Sequence, residues 1–229
     1  MLSRRLLRTK VVKAVYAHTQ CEGLTPAVSE KNLVLSIDRA YDLYFHLLAL
    51  VPEIAEYAAE RIRIGENKKL PTYDDLHPNR KFVENKVIAR LAEDENLQAE
   101  INSRKLSWKN HRDLIVALYN ALIRQTFYQK YMANEERSFR EDAQLVSDIY
   151  MTMLEEFEPL ESALEEQSIL WNESEQMEIE VVGTINRKNK VLLACYRGHI
   201  LALLMCVDSL HDLCSEYSSA QHNFKELYI

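Results

Sequence analysis

"LVLSIDRAYDLYFHLLALV", residues 33–51, is the stretch on which the fold turns. It lies within a long helix whose start is marked by Thr25 and Pro26. Threonine suits the cap, and proline lacks only an amide hydrogen that would go unpaired in a first helical turn. Pro52 is expected to kink this helix or split it in two. The rest of the chain agrees with a helical reading. Four Gly and five Pro in 229 residues are too few for the closely spaced turns of a sheet, and neither a strand ladder nor an internal repeat is visible.

Further helices are expected in "KFVENKVIARLAED" (81–94) and in "SWKNHRDLIVALYNALIRQ" (107–125). The second has Ser107 as its cap and Leu114, Leu118 and Leu122 on one face. "REDAQLVSDIYMTMLEEFE" runs helically up to Pro159, and "LESALEEQSILWNE" and "EQMEIEVVGTINRKNK" continue the pattern. "KKLPTYDDLHPN" (68–79) is the clearest loop. The fold class is therefore all-α, a bundle with long helices and a basic amphipathic helix at its start. Its expected parts are 1–67, the loop 68–80, a helical region 81–190 and an atypical tail 191–229.

Charge is unevenly placed. The formal net charge is -7, yet residues 1–21 carry five cations and no acid, because the first acid is Glu22. Leu7, Val11, Ala14, Val15 and His18 form an apolar-side stripe at helical spacing, with Arg4, Arg5, Arg8 and Lys13 largely off it. Gly23 is well placed to end this helix. A concentrated basic stretch on an acidic protein speaks to an anionic partner rather than to the fold.

Other classes find little support. The longest uncharged apolar run, "ILALLMCV" (200–207), is far short of the roughly 20 residues a bilayer demands. Lys10 and Lys13 interrupt any secretory apolar region, and Ser3 alone precedes Ser29, unlike a Ser-rich import sequence. Four unevenly spaced Cys make no disulfide framework, so a reducing cytoplasm is expected. Nucleophile motifs, paired-Cys motifs and a Gly-rich phosphate loop are missing, and the acidic runs look like solvated helix faces. No enzyme, cofactor or metal is expected. Cys195, His199, Cys206, His211 and Cys214 lack tight metal-binding pairs, and the cysteines read as buried small apolar residues. Trp108, Trp171 and many of the 12 Tyr read as core, with Tyr16 the exception, since an aromatic beside arginines can stack on a base.

The opening "RRLLRTKVVKAVYA", with its cluster Arg4, Arg5, Arg8 and its triplet Ala14 to Tyr16, resembles the start of the NusB family of transcription antitermination factors. "DRAYDLYFHLLAL", "HPNRKFVENKVIARL", "KLSWKNHRDLI" and "WNESEQMEIEVV" follow in order, similar to the long form of that family found in Bacteroidetes, which inserts extra helices. The resemblance covers about residues 1–186. It implies an all-helical, non-enzymatic protein that binds single-stranded boxA RNA of ribosomal RNA leaders. The implied partners are NusE, a small-subunit ribosomal protein, and the RNA polymerase antitermination complex. It assigns RNA contacts to Arg4, Arg5, Arg8 and Tyr16, and the charge pattern adds Lys10 and Lys13. Five cations on single-stranded RNA set a log–log salt slope no steeper than about -3.5, at roughly -0.7 per contact. A helical scaffold binding only protein is the alternative.

The tail departs from this resemblance. Residues 191–229 hold six of the 63 charged residues but three of the four Cys, and the chain has no Asn-Gly pair of the kind the family carries near its end. Residues from about 187 are therefore expected not to descend from the family's C-terminal region. Translating the downstream DNA in all three frames checks this. NusB-like helices ending in Asn-Gly are expected in one frame, and finding none would favour a natural short form.

Overall fold

The computed structural model describes residues 4–154 and 157–171, with side-chain burial from Leu7 onward. The expected helix 175–190, the boundary at 190/191 and the Cys- and His-rich tail lie outside the described residues. Within them every regular element is helical. The order is α1 (Arg4–Gln20), α2 (Pro26–Glu66), α3 (Tyr73–Leu76), α4 (Lys86–Glu93), α5 (Glu95–Ser103), a 3-10 turn (Lys109–His111) and α6 (Arg112–Leu122). Then come α7 (Thr126–Ala133), α8 (Phe139–Asp148), a π-helical segment (Ile149–Leu154) and α9 (Glu158–Gln167). The chain divides into two compact units at Tyr41/Asp42, inside α2, whereas the sequence sets its first boundary at 67/68.

In the first unit, α1 ends where Cys21 N–H reaches Ala17 O at 3.1 Å, and Gly23 takes φ 85°. That left-handed turn is open to glycine without strain. Val28 N–H then donates to Thr25 Oγ1 at 3.4 Å, so Thr25 caps α2 and Pro26 stands first, as the sequence indicates. Leu33, Ile37 and Ala40 continue α2 as a buried stripe. His18, 7% exposed, ties α1 to this start, its Nδ1 lying 2.9 Å from Ser29 Oγ.

In the second unit, α2 changes character. Within residues 42–51 only Ala49 is not buried, so this part is covered on every side rather than along one face. Leu43, Leu47, Leu48, Leu50 and Val51 are fully enclosed, each contributing about 1.5–3 kcal/mol by leaving water. Two buried polar side chains interrupt the apolar run. Asp42 is paired with Arg104 at 2.7 Å, and His46 stacks on Trp108. Tyr150, from the π-helical segment, buries its ring and donates its hydroxyl to Leu47 O at 2.8 Å.

Pro52 does not split α2, which runs unbroken through it. Proline removes one amide, the partner of Leu48 O, and clashes with the turn before it. Here Leu50, Val51, Ile54 and Ala55 are all buried around it, and the Tyr150 hydroxyl engages the adjacent carbonyl. Packing holds the helix across a single lost bond.

Other elements begin or end away from their sequence limits, and the helix expected from Leu160 through Glu173 already stops at Gln167. The segment from Lys81 turns once before Asn85 caps α4, accepting from Val87 N–H at 2.9 Å and Ile88 N–H at 3.1 Å. Ser107 is not the cap of α6: its Oγ accepts from Lys109 N–H at 3.2 Å, at the start of the 3-10 turn, while His111 stands at the cap of α6. The helix expected through Gln125 stops at Leu122, and α7 starts afresh at Thr126. Leu114, Leu118 and Leu122 do share a buried face.

The loop after α2 is fastened largely by polar groups, for α3 has no buried residue. Thr72 and Asp75 form a capping box, and Lys68 Nζ donates to both Asp75 carboxylate oxygens at 2.7 and 2.9 Å. Hydrogen bonding from Lys68, and then from Thr72, holds the Asp75 carboxyl down at about 2. A Cβ on Gly65 would stand 2.7 Å from Asp75 Oδ1. Gly65→Ala should therefore unseat that carboxylate despite the better helix propensity of alanine. The expected result is a carboxyl titration of Asp75 returned toward the ordinary 3.8, with faster amide exchange over residues 72–77, both read by NMR.

Candidate nucleic-acid interface

Helix α1 has its charge at the end that an isolated helix would disfavour. Its first turn contains no acid and its last turn only His18, while Arg4, Arg5 and Arg8 crowd the N-terminal half. The helix dipole places about half a positive charge at that end, so each cation there is unfavourable by roughly 0.3–1 kcal/mol. Positive charge on a positive pole raises the local potential and draws anions.

Arg8, Val12 and Tyr16 follow one another at intervals of four along the solvent side, with Val12 and Tyr16 each 66% exposed. Thr9 and Lys13 are exposed beside them, and Thr19 Oγ1 donates to Tyr16 O at 2.8 Å. The face thus combines a guanidinium, an ammonium, a hydroxyl and an uncovered aromatic ring. Such a surface can neutralise phosphates and stack a base. The side chains of Arg4 and Arg5 lie outside the described residues.

Lys10 departs from the sequence expectation. It is 4% exposed, on the same side as Leu7, and so does not face solvent as a phosphate contact would. The helical period explains it, since Lys10 is three residues beyond Leu7 and four before Ala14. Val12 and Thr9, which the sequence reading passed over, take up the exposed face instead.

A second polar constellation joins residues that sequence reading left apart. Lys81, 4% exposed, places Nζ 2.8 Å from Tyr131 O, 2.8 Å from Asn134 O and 3.1 Å from Glu141 Oε1 and Oε2. It also lies 4.2 Å from the centre of the Tyr131 ring. Tyr131 Oη donates to Asp142 Oδ1 at 2.7 Å, and burial, reinforced by that carboxylate, pushes the phenol far upward. Asn85 Nδ2 donates to Asp142 O at 3.2 Å, and Lys86 N–H to Asp142 Oδ2 at 3.0 Å.

The mixture of lysine, tyrosine, asparagine and carboxylates looks chemical, but each group is committed to another. The three ammonium protons of Lys81 meet three acceptors, two of them carbonyls at the C-terminal end of α7, where a cation is favoured. A cleft of about 280 Å³ beside it is lined by Asn79, Lys81, Asn134 and Arg137 among others. Asn79 is bonded to Met132 O and Arg137 to Glu84, so those polar side chains are also occupied. This is a fastening, closing the turn before α4 onto α7 and α8. Among the described residues no group of three metal-ligating side chains converges, and no helix is long and apolar enough to cross a membrane.

No protein-family profile matches the chain, and neither does any curated protein or solved structure.

Lys81→Met should cost about 3 kcal/mol, because it leaves Glu141 and two helix-end carbonyls without their shared cation. Urea unfolding at pH 7 measures this. Lys81→Arg, a longer planar cation, should also destabilise, since it cannot direct three donors into the same space.

Proposed function

We propose that this is a non-enzymatic RNA-binding factor of the NusB type, acting in transcription antitermination on a boxA-like single-stranded RNA of ribosomal RNA leaders. Its partners on this reading are NusE and the RNA polymerase antitermination complex. The observation that carries the reading is α1. An acid-free helix sets its cations at the positive end of its own dipole and leaves Arg8, Val12 and Tyr16 on one exposed face. A phosphate backbone with unstacked bases is the kind of partner that such a face suits.

On this reading Arg4, Arg5, Arg8 and Lys13 meet phosphates or base edges, and Tyr16 offers a stacking face. Lys10 is left out, because it is buried. The remainder of the chain is strongly acidic, so attraction to RNA is confined to α1 and nonspecific binding is weak.

The test is affinity for a boxA-like RNA across a salt series with NusE present. Arg4, Arg5, Arg8 and Lys13 together limit the log–log slope to about -2.8. Arg8→Ala should make the slope shallower by roughly one contact, ~0.7. Tyr16→Ala should weaken binding by about 1–3 kcal/mol with the slope nearly unchanged. Salt-indifferent binding, or an Arg4/Arg5/Arg8 triple Ala variant that binds as well as the parent, would leave a protein-binding helical scaffold as the better reading.

A further inference from the structure

His46 stands in the most enclosed part of α2, 1% exposed, and neither of its ring nitrogens has a hydrogen-bond partner among the described residues. Buried imidazoles are ordinarily bonded, so this one calls for an account. Its ring is stacked on Trp108, with centroids 3.8 Å apart and planes at 16°, and Trp171 leans in at 5.6 Å. Trp108 in turn donates Nε1–H to the carbonyl of His46 at 2.8 Å. The contact is thus doubled, ring on ring and indole on backbone. It fixes the residue that immediately precedes the 3-10 turn and α6.

The charged surroundings offer the ring nothing when it is protonated. From the 3-10 turn the titratable neighbour is His111, whose ring meets Trp108 edge-on at 5.9 Å and whose charge opposes a second one. Lys109 of the same turn acts on Glu53, further along α2. One turn earlier on α2, Asp42 is engaged by Arg104 of the α5 end. Tyr150, from the π-helical segment, spends its hydroxyl on Leu47 O, and the contact from beyond α9 is the indole of Trp171. Burial first, and His111 second, hold the His46 imidazole neutral down to about 3.

We propose that His46 is an acid-released pin: while neutral it fastens Trp108, and with it the start of α6, to α2, and in acid the transiently opened form is trapped by a proton on its imidazole. The proton comes from water and is taken up at a ring nitrogen that the closed form leaves unbonded. The closed form gains nothing from acid, whereas the opened ring has an ordinary pKa near 6.5. Lowering pH from 7 to 5 should therefore enlarge the opened population about 25-fold.

Amide hydrogen exchange of the full chain, corrected for the intrinsic effect of pH, reads this directly. Residues 104–122 should open about 25-fold more at pH 5 than at pH 7, with α4 and α8 little changed. His46→Phe keeps an aromatic ring on Trp108 and discards two nitrogens that bond nothing, so it should fold and lose most of that rise. His46→Gln, neutral throughout, should also lose it, though from a looser start. Trp171→Phe leaves Trp108 as the sole indole of the two in the chain, and its fluorescence should report the same opening. An equal acid response in His46→Phe would overturn the proposal. So would NMR titration of His46 near 6.5 in the closed protein.

Discussion

Full enclosure of α2 over residues 42–51 is the condition on which the second unit rests. An amphipathic helix needs one partner face, whereas a helix covered on all sides needs several, and they must arrive together. Trp108 comes from the turn before α6, Arg104 from the end of α5 and Tyr150 from the π-helical segment. Each brings apolar area and also one polar bond, to His46 O, Asp42 Oδ1 and Leu47 O respectively. The bonds fix orientation where grease alone would permit sliding. They also explain why a proline is tolerated at 52, since the turn around it is held from outside.

How much of this could be read from the chain depended on the range of the cause. Local chemistry was legible: Thr25 and Pro26 opened α2, Gly23 closed the turn before it, and leucines at every fourth place gave the buried side of α6. Asn85 was hidden inside what looked like a continuous helix because "KFVENKV" has apolar spacing on both sides of the cap. Lys81 gave no sign, since its acceptors lie 50 to 60 residues downstream. Lys10 misleads for the opposite reason. Its charge suggests exposure, while its position in the helical period, three residues beyond Leu7, places it on the buried side.

The candidate interface was legible in kind but not in detail. Cation clustering and a lone exposed aromatic are properties of sequence, and Arg8 and Tyr16 do occupy the solvent side of α1. Which neighbours accompany them is a matter of rotation about the helix axis, and Val12 enters for that reason alone. The two units also differ in how they handle charge. In the second unit Lys81, Arg104, Arg112 and Arg137 are each paired with one of that unit's own carboxylates, whereas α1 of the first contains no acid at all.

The Lys81 fastening has a consequence for how the protein is made. Its partner Glu141 is 60 residues further along the chain. At about 5–20 residues per second, the ribosome needs roughly 3–12 s to supply it. For most of that interval Lys81 lacks its acceptors on Tyr131 and Asn134 as well, and throughout it the enclosed part of α2 lacks Tyr150 and Trp171. The nascent chain must therefore carry the enclosed part of α2 incompletely covered for seconds, a period in which chaperones and aggregation compete for it.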